Sequence, residues 1–418
     1  MKRITTQVVI IGGGATGTGI MRDCALRGID CILLERDDIA AGTTGRNHGL
    51  LHSGARYAVT DQESARECIQ ENRILKRIAS HCVEDTGGLF LTLPEDDIGF
   101  QKTFMDACAL AGIETRQLDP REALQLEPNA NPAMIGAVQV PDGTVDPFRL
   151  AAANVLDAKE HGARIFTHSK VLGLLRTQDR VHGVKAINTR TGEAFEVECQ
   201  EVINAAGIWG QQICEYADLG IRMFPAKGSL LIMDYRINQL VLNRCRKPAD
   251  ADILVPGDTI SLIGTTSSRI DYNKIDQLTV EPEEVEVLLR EGIKPCPHHG
   301  AHPLAACLRR GAPPGGGGWR RVGPQHQPRY RAARSRRAGW FAGLQHHHRR
   351  QADDLSLDGG VGHRSAGEKT GQQQTVPHRR AEPARLAGSG EGLRPRPLGT
   401  GRRICPVSPW RAGHRLLP

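Results

Sequence analysis

The chain lacks the features that mark membrane-spanning, disulfide-rich and structural-metal proteins. No apolar run approaches the roughly 20 residues that a spanning helix needs. Met1 leads almost directly into an apolar strand pattern, so we expect neither a membrane segment nor a signal peptide. The 11 cysteines contain no C-x-x-C pair. In a chain expected in the cytoplasm, this scatter predicts buried, unpaired thiols and no metal site.

Acidic side chains are scarce in only one part of the chain, residues 295–418. That part holds 21 Arg and one Lys against six Asp plus Glu, a net charge of +16. Residues 1–294 hold 32 basic and 41 acidic side chains, a net charge of −9. The overall charge of +7 therefore combines an acidic body with a basic tail. Any nucleic-acid-binding hypothesis depends on the tail alone.

Apolar residues are also rare in that tail. One Ile and one Phe stand among 14 Pro, 20 Gly and 10 His, and neither helical nor strand periodicity is present. The composition predicts a disordered segment, because it cannot bury enough surface to offset its ordering entropy. As a biological tail, such a segment would suit contact with RNA or an anionic lipid surface.

The N-terminal stretch Gln7–Glu35 has the pattern of a dinucleotide-binding unit. An apolar run at Val8–Ile11 predicts a buried parallel strand, and Gly12, Gly14 and Gly17 follow at G-x-G-x-x-G spacing. Such glycines allow a tight turn, close approach of a pyrophosphate and close packing of helix on strand. After a predicted helix and a second strand, the stretch ends on an acid suited to ribose hydroxyls. The pattern predicts a site for NAD or FAD, whereas the glycine motif alone would indicate only a loop.

A polar stretch, Ala40–Tyr57, follows this unit. Its small and hydroxyl residues can lie against a ligand and donate hydrogen bonds to phosphates. His48, His52 and Arg56 add titratable and cationic groups. Any one of these histidines alone would indicate a polar surface loop. The group as a whole, directly after a dinucleotide motif, favours a role in ligand binding.

A third informative block lies at residues 201–210. It predicts a short apolar strand that ends in Asn204-Ala-Ala-Gly207, small residues where a backbone can pass beside a cofactor. Alone, the block would fit an ordinary junction of strand and helix. It follows a predicted β-meander at residues 169–197, and that order is typical of two-part flavin-binding domains. The block therefore favours FAD over NAD.

Together these motifs resemble the FAD-dependent glycerol-3-phosphate dehydrogenase family, and within it the catalytic A subunits of the anaerobic enzymes. Residues 42–57, G-T-T-G-R-N-H-G-L-L-H-S-G-A-R-Y, are similar to the family block G-T-S/T-x-x-S/N-x-x-L-L/I-H-x-G-x-R-Y. Ser53 departs from the commoner glycine. The resemblance implies FAD as cofactor and oxidation of sn-glycerol 3-phosphate to dihydroxyacetone phosphate. A base would take the C2 hydroxyl proton while hydride passes from C2 to flavin N5.

The motifs and the resemblance together predict the site residues. The candidate catalytic residues are His52, Arg56 and Tyr57, with Arg56 facing the substrate phosphate and His52 handling the proton. The candidate cofactor-binding residues are Gly12, Gly14, Ala15, Thr16, Gly17, Glu35, Arg36, Thr43, Thr44, Arg46, Asn47, His48, Val171, Ala206, Gly207 and Trp209. No metal site is predicted.

The resemblance also implies partners and a location. Electrons would leave through flavoprotein and iron–sulfur partner subunits of an anaerobic complex and reach quinone indirectly. The chain would be cytoplasmic and held peripherally on the inner face of the cell membrane through those subunits. No nucleic-acid partner is predicted.

We predict an α/β fold in two parts. A Rossmann-like FAD-binding domain of the glutathione-reductase or D-amino-acid-oxidase type would comprise residues 1–80 and 146–220. An inserted, mainly antiparallel substrate-binding domain would comprise residues 81–145 and 221–294. Between these, Pro141–Pro147 predicts a turn followed by an N-cap at Asp146.

A second hypothesis for the tail is out-of-frame translation from about Pro295 onward. With a suitable choice of codons, a one-base shift converts His348–Ser356 into Thr-Gly-Gly-Lys-Leu-Met-Thr-Tyr-Arg, which resembles a block of the same family. The same shift converts residues 329–339 into an apolar strand with polar flanks. Two such matches in one frame favour a frameshift over chance. On this hypothesis His346–His348 are not a metal site, the arginines are not a nucleic-acid surface, and the segment that closes the flavin site is missing.

Two other functions fit parts of the sequence. A related FAD oxidase of amino or hydroxy acids would share the flavin motifs but not H-x-G-x-R-Y. A damaged, non-catalytic chain, or a flavin-fold module with a basic tail, would keep the N-terminal motifs without turnover.

The frameshift hypothesis is testable on the coding DNA. We expect resequencing around the codon of Lys294 to show one inserted or deleted base whose correction restores an apolar, periodic reading frame. An intact frame at high coverage would contradict the hypothesis and leave a basic tail to be explained.

Overall fold

The computed structural model describes residues 1–178 and 180–297, together with a backbone strand at residues 333–337. The helices in these residues are α1 (Ala15–Leu26), α2 (Gln62–Ile78), α3 (Phe100–Leu110), α4 (Pro120–Leu126), α5 (Pro147–Glu160), α6 (Gly210–Glu215) and α7 (Pro282–Gly292). The strands are β1 (Lys2–Thr5), β2 (Val8–Ile11), β3 (Cys31–Leu34), β4 (Leu50–Leu51), β5 (Val83–Glu84), β6 (Gly88–Thr92), β7 (Arg116–Leu118), β8 (Gly136–Val140), β9 (Gly143–Val145), β10 (Arg164–Phe166), β11 (Ser169–Thr177), β12 (Arg180–Asn188), β13 (Ala194–Glu198), β14 (Glu201–Asn204), β15 (Ala226–Ile232), β16 (Val241–Arg244), β17 (Ile253–Gly257), β18 (Ile260–Gly264), β19 (Ser268–Arg269) and β20 (Ala333–Arg337).

A parallel sheet in the order β10-β3-β2-β14 carries the N-terminal motif. Val8 of β2 pairs with Cys31 of β3 on one side and with Glu201 of β14 on the other. The sheet is covered on both faces, which explains the uninterrupted apolar runs of β2 and β3. α1 and α5 pack on one face around Ile10 and Met21, and the sheet β1-β13-β12-β11 covers the other. This layering confirms the predicted Rossmann-like α/β unit.

A larger sheet runs in the order β19-β15-β18-β17-β16-β6-β8-β7, with β20 on the second edge of β15. Its neighbouring strands are antiparallel except for β16 and β6, which are parallel. The prediction of a mainly antiparallel second part is therefore confirmed. α7 packs on one face through Val285 and Leu288, and α3 packs on the other through Phe104 and Cys108.

The helix α2 joins the two parts in the chain but packs on the larger sheet. Its Ala65 and Ile69 lie in one apolar cluster with Phe90 of β6 and Val140 of β8. The predicted division at residue 80, and the other predicted domain limits, stay predictions.

The segment 141–147 is more regular than the sequence analysis predicted. β9 occupies Gly143–Val145 and pairs with both β4 and β5. The expectation of a plain turn was wrong there, because two short strands from elsewhere in the chain supply the pairing that a local pattern cannot show. The predicted cap is present, since the Asp146 side chain accepts hydrogen bonds from the backbone N–H groups of Phe148 and Arg149.

The folded body continues slightly beyond the predicted limit at residue 294. Cys296 is fully buried, and its Sγ lies 2.7 Å from the Asn129 carbonyl oxygen. Asn131 donates side-chain and backbone hydrogen bonds to the carbonyls of Lys294 and Pro295. The strand β20 is a second exception to the predicted absence of regular structure. The rest of the predicted disordered segment, residues 298–332 and 338–418 with the histidines at 346–348, lies outside the described residues.

The thiols of the described residues match the prediction from cysteine spacing. Eight of these nine cysteines are buried, Cys199 is partly buried, and none of the nine forms a disulfide. Burial raises the pKa of the Cys68 and Cys108 thiols to about 12, so both stay protonated at neutral pH. Among the helices of residues 1–297, none combines the length and apolar character needed to cross a bilayer.

One buried ion pair gives a stability test. Arg244 is 1% exposed, and its guanidinium donates to Asp96 through Nε at 2.9 Å and Nη2 at 2.6 Å. We expect Asp96→Asn to lower the free energy of unfolding by about 3 kcal/mol, because it leaves a buried guanidinium short of a carboxylate. Urea unfolding measures the change. Asp106→Asn, which breaks the exposed pair with Lys102, is the control and should cost at most about 1 kcal/mol. Equal losses in the two variants would contradict the account.

Candidate functional site

The turn between β2 and α1 is built on glycines that have no room for a side chain. Gly12 has φ +114°, and a Cβ there would lie 2.5 Å from the Ala205 carbonyl oxygen. A Cβ at Gly17 would lie 1.9 Å from the Gly12 carbonyl oxygen. The turn therefore brings the N-terminus of α1 close to the end of β14. Backbone N–H groups at such a helix end attract anions.

Glu35 ties this turn to the end of β3. One carboxylate oxygen accepts a hydrogen bond from the Gly13 N–H at 2.6 Å, and the other accepts one from the Asp37 N–H at 2.7 Å. The carboxylate is thereby fixed at the mouth of the turn, where the sequence analysis predicts contact with a ribose.

The segment 42–49 lies over the first turn of α1. The Ala15 N–H donates to Thr44 Oγ1 at 2.9 Å. Asn47 stabilises the segment itself, because its Nδ2 donates to the Thr44 carbonyl and its Oδ1 accepts from the Gly49 N–H. Asn47 is thus placed to shape the loop.

These elements border a groove that is partly open to solvent. Twelve of the predicted cofactor-binding residues line it: Gly12, Gly14, Ala15, Thr16, Glu35, Arg36, Thr43, Thr44, Val171, Ala206, Gly207 and Trp209. The other four, Gly17, Arg46, Asn47 and His48, do not. Further lining residues were not predicted, among them Ser169, Lys170, Gln212, Ile213 and Tyr216. A signal for them was available in the sequence. Ser169 and Lys170 directly precede the predicted residue Val171 at the start of β11, and the other three follow the predicted Trp209 in and just after α6.

The predicted catalytic residues lie together in a second cluster with His48. The ring centroids of His48 and His52 are 6.2 Å apart, and those of His52 and Tyr57 are 5.6 Å apart. The two histidines are 3% and 4% exposed. The Nδ1 of His48 accepts a hydrogen bond from the Leu50 N–H, which fixes the orientation of its ring.

Burial controls the charge of this cluster. Burial, with a smaller contribution from Arg56, lowers the pKa of His48 to about 3. Burial, followed by the charges of His48 and Arg56, holds the pKa of His52 well below its ordinary value. Both imidazoles are therefore neutral near pH 7, and a neutral imidazole can accept a proton.

Arg56 is held by a buried carboxylate from a distant segment. Its Nη2 donates to the Ala249 carbonyl at 2.9 Å and lies 3.6 Å from Asp252 Oδ2. Asp252 is 1% exposed and also pairs with Arg246 at 2.6 Å. The guanidinium is thus positioned from outside its own loop, by a carboxylate that the sequence analysis did not predict.

A second unpredicted carboxylate supports the same loop. Asp142 accepts hydrogen bonds from both the N–H and the Oγ of Ser53, each at 2.7 Å. Burial raises the pKa of Asp142, while these hydrogen bonds act in the opposite direction. Next to this contact, Gly54 has φ +91°, and a Cβ there would lie 2.3 Å from the Ala65 carbonyl oxygen. The backbone between His52 and Arg56 is therefore fixed at two consecutive residues, Ser53 and Gly54.

Several known proteins are similar to this chain in sequence. A family model described as FAD dependent oxidoreductase matches residues 7–349. The A subunit of the anaerobic glycerol-3-phosphate dehydrogenase of Escherichia coli (strain K12) is 70% identical over 293 residues, which are 70% of this chain and 54% of that protein. The protein of the same name from Haemophilus influenzae is 63% identical over 297 residues, 71% of this chain and 53% of its own length. The chain thus spans about half the length of these curated relatives.

A solved structure shows the same fold. The L-α-glycerophosphate oxidase from Mycoplasma pneumoniae, reduced with dithionite and with FAD bound, superposes with a TM-score of 0.59 at 18% identity. The match covers 70% of this chain and 79% of that one. At this identity, the likeness shows the fold alone.

The neutral histidines predict a specific pH dependence of stability. The relevant pH window runs from about 6.5, the ordinary pKa of histidine, down to the lowered pKa of each histidine in the folded chain. Within this window the unfolded chain binds protons that the folded chain does not. Stability is therefore fully present above this window and falls as pH drops through it, by about 1.4 kcal/mol per pH unit for each histidine. We expect His48→Asn, which keeps an acceptor for the Leu50 N–H, to reduce this slope in urea unfolding between pH 7 and pH 4.5.

His161→Gln, at an exposed position outside the cluster, is the matched control. The raised pKa of Asp142 changes stability with pH in the opposite direction to the histidines. This contribution is the same in every variant, so it does not affect the comparison between them. An identical slope in the parent chain and His48→Asn would contradict the assignment of neutral buried histidines.

Proposed function

Because the chain belongs to the FAD dependent oxidoreductase family, we propose that it contains the cofactor groove and substrate-facing cluster of an enzyme that oxidises sn-glycerol 3-phosphate to dihydroxyacetone phosphate. One observation carries the choice of substrate. Arg56, held by Asp252, lies in the same cluster as the neutral imidazole of His52. A guanidinium and a proton acceptor are the two groups that a phosphorylated secondary alcohol requires.

The residues of the groove fit FAD on their own chemistry. The glycine turn leaves backbone space, and the N-terminus of α1 offers N–H groups to a pyrophosphate. The Glu35 carboxylate borders the same groove and would accept hydrogen bonds from ribose hydroxyls. Thr44 orders the same corner through its hydrogen bond with the Ala15 N–H. When bound, FAD supplies the hydride acceptor.

The chain's own residues would perform the remaining tasks. Arg56 would bind the substrate phosphate through a guanidinium that Asp252 and the Ala249 carbonyl already orient. His52 would accept the proton of the C2 hydroxyl at a ring nitrogen, since burial keeps the imidazole neutral. Tyr57, packed against His52, would complete the wall of the substrate space.

We further propose that turnover by this chain is impaired. Its first 294 residues supply the groove and the cluster, whereas the tail resembles the family only after a one-base shift of its reading frame. In the intact enzyme, electrons would pass through flavoprotein and iron–sulfur partner subunits to a quinone. Those subunits would hold the protein on the inner face of the cell membrane.

The test compares the chain with a version whose residues after Lys294 follow the shifted frame. We expect the restored version to show bound-flavin absorbance and to reduce an artificial dye with sn-glycerol 3-phosphate, while the unrestored chain reduces little or none. In the restored version, Arg56→Gln should raise KM for glycerol 3-phosphate at least about tenfold, because a charge-assisted contact is lost. Lys247→Gln, which removes an exposed cation from the segment that carries Ala249 and Asp252, is the control.

Three outcomes would contradict these proposals. Dye reduction by the unrestored chain, at the rate of the restored version, would exclude impairment. Reduction with glycine or proline, but not with glycerol 3-phosphate, would instead favour an amino acid oxidase. A restored chain that binds FAD and oxidises none of these substrates would favour a non-catalytic protein.

A further inference from the structure

Three side chains from distant segments meet at one wall of the groove. Arg36 follows β3, Trp209 follows β14, and Asp276 lies between the short 3-10 turn Tyr272–Lys274 and α7. The first two line the groove. Asp276 reaches them from the part of the chain that forms the larger sheet.

One carboxylate oxygen connects the other two groups. The Trp209 Nε1–H donates to Asp276 Oδ1 at 3.0 Å, and Arg36 Nη2 lies 3.8 Å from the same oxygen. The Arg36 guanidinium carbon also lies 4.6 Å from the centroid of the Trp209 ring, a cation–π distance. The three contacts form a closed triangle, so a change at Asp276 alters both the indole and the guanidinium.

The indole is fixed on its other side by the segment 42–49. A Cβ at Gly42 would lie 3.2 Å from the Trp209 ring, so the ring packs directly against the backbone there. Arg36 is additionally held by Asp37 at 3.2 Å and is bonded to Glu35, whose carboxylate faces the predicted ribose position. The triangle therefore lies beside Glu35, at the end of the groove where the dinucleotide motif predicts the adenosine ribose.

We infer that Asp276 is a positioning residue that holds Arg36 and Trp209 as a clamp over the adenosine end of the bound dinucleotide. The inference rests on the proposed FAD site and is independent of the substrate. It makes the segment preceding α7 a determinant of cofactor retention, although that segment lies outside the dinucleotide-binding motifs. The side chains of Arg36 and Asp276 are 29% and 49% exposed, so solvent screening limits the effect to a moderate one.

The test is a double-mutant cycle on FAD affinity in the full chain. The variants are Asp276→Asn, Trp209→Phe, which keeps a ring but loses the donor, and the two combined. Each single change should raise the FAD dissociation constant about three- to tenfold, the range expected for one partly exposed polar and cation–π contact. The combined change should cost no more than the larger single change, because both remove the same contact.

A matched control removes a comparable contact away from the groove. Arg222 lies 5.0 Å from the ring centroid of Phe224, which is 73% exposed. Arg222→Gln should leave the FAD dissociation constant within about twofold of the parent value, since an exposed contact elsewhere is worth little. ADP serves as a second probe, because it carries the adenosine and pyrophosphate without the flavin ring and should be affected by the same factor.

The outcomes separate the clamp from the proposed substrate. Weaker FAD and ADP binding in Asp276→Asn, with an unchanged midpoint of thermal unfolding in the ligand-free chain, supports the clamp even where glycerol 3-phosphate reduces no dye. Unchanged affinity, additive losses in the combined variant, or a parent chain that binds neither FAD nor ADP would overturn it. If Asp276→Asn fails to fold, Trp209→Phe and Arg36→Gln carry the same test with the same expected losses.

Discussion

The close approach of the glycine turn to the end of β14 is the contact on which the rest of the structure depends. Gly12 meets the Ala205 carbonyl and Gly17 meets Gly12 at separations that exclude any Cβ. A side chain at either position would push α1 away from the parallel sheet. The groove exists because these two elements meet without side chains between them, and the loop 42–49 then closes over the helix end through Thr44.

Carboxylates from distant segments extend this arrangement to the rest of the site. Asp142 fixes Ser53, Asp252 orients Arg56, and Asp276 contacts Trp209. In each case, a group at or beside a proposed ligand-binding position is held by an acid at least 67 residues away in the chain. The larger sheet and its loops thus help to orient Ser53, Arg56 and Trp209, which lie in other segments of the chain.

Local patterns in the sequence were sufficient to predict strands that are buried on both faces and the capped start of α5. The limits of β2 are those that the apolar run predicted, and the Asp146 cap lies where Asp and Pro stand together. β9 could not be predicted in this way, because a strand of three residues becomes ordered only through partners elsewhere in the chain. α4 was missed although its capping box, Asp119 with Glu122, was visible. The supporting carboxylates could not be predicted from motifs, because contacts between distant segments produce no characteristic spacing of residues in the sequence.

The central claim is that one groove, formed by the glycine turn, the segment after β3 and the segment after β14, binds FAD. Hydrogen exchange of the full chain with and without FAD, followed by mass spectrometry of peptides, tests it directly. The account predicts that FAD slows exchange in peptides covering residues 12–17, 35–44 and 205–213 together, because all three border the groove. Flavin binding at one equivalent without protection of these three segments would contradict it.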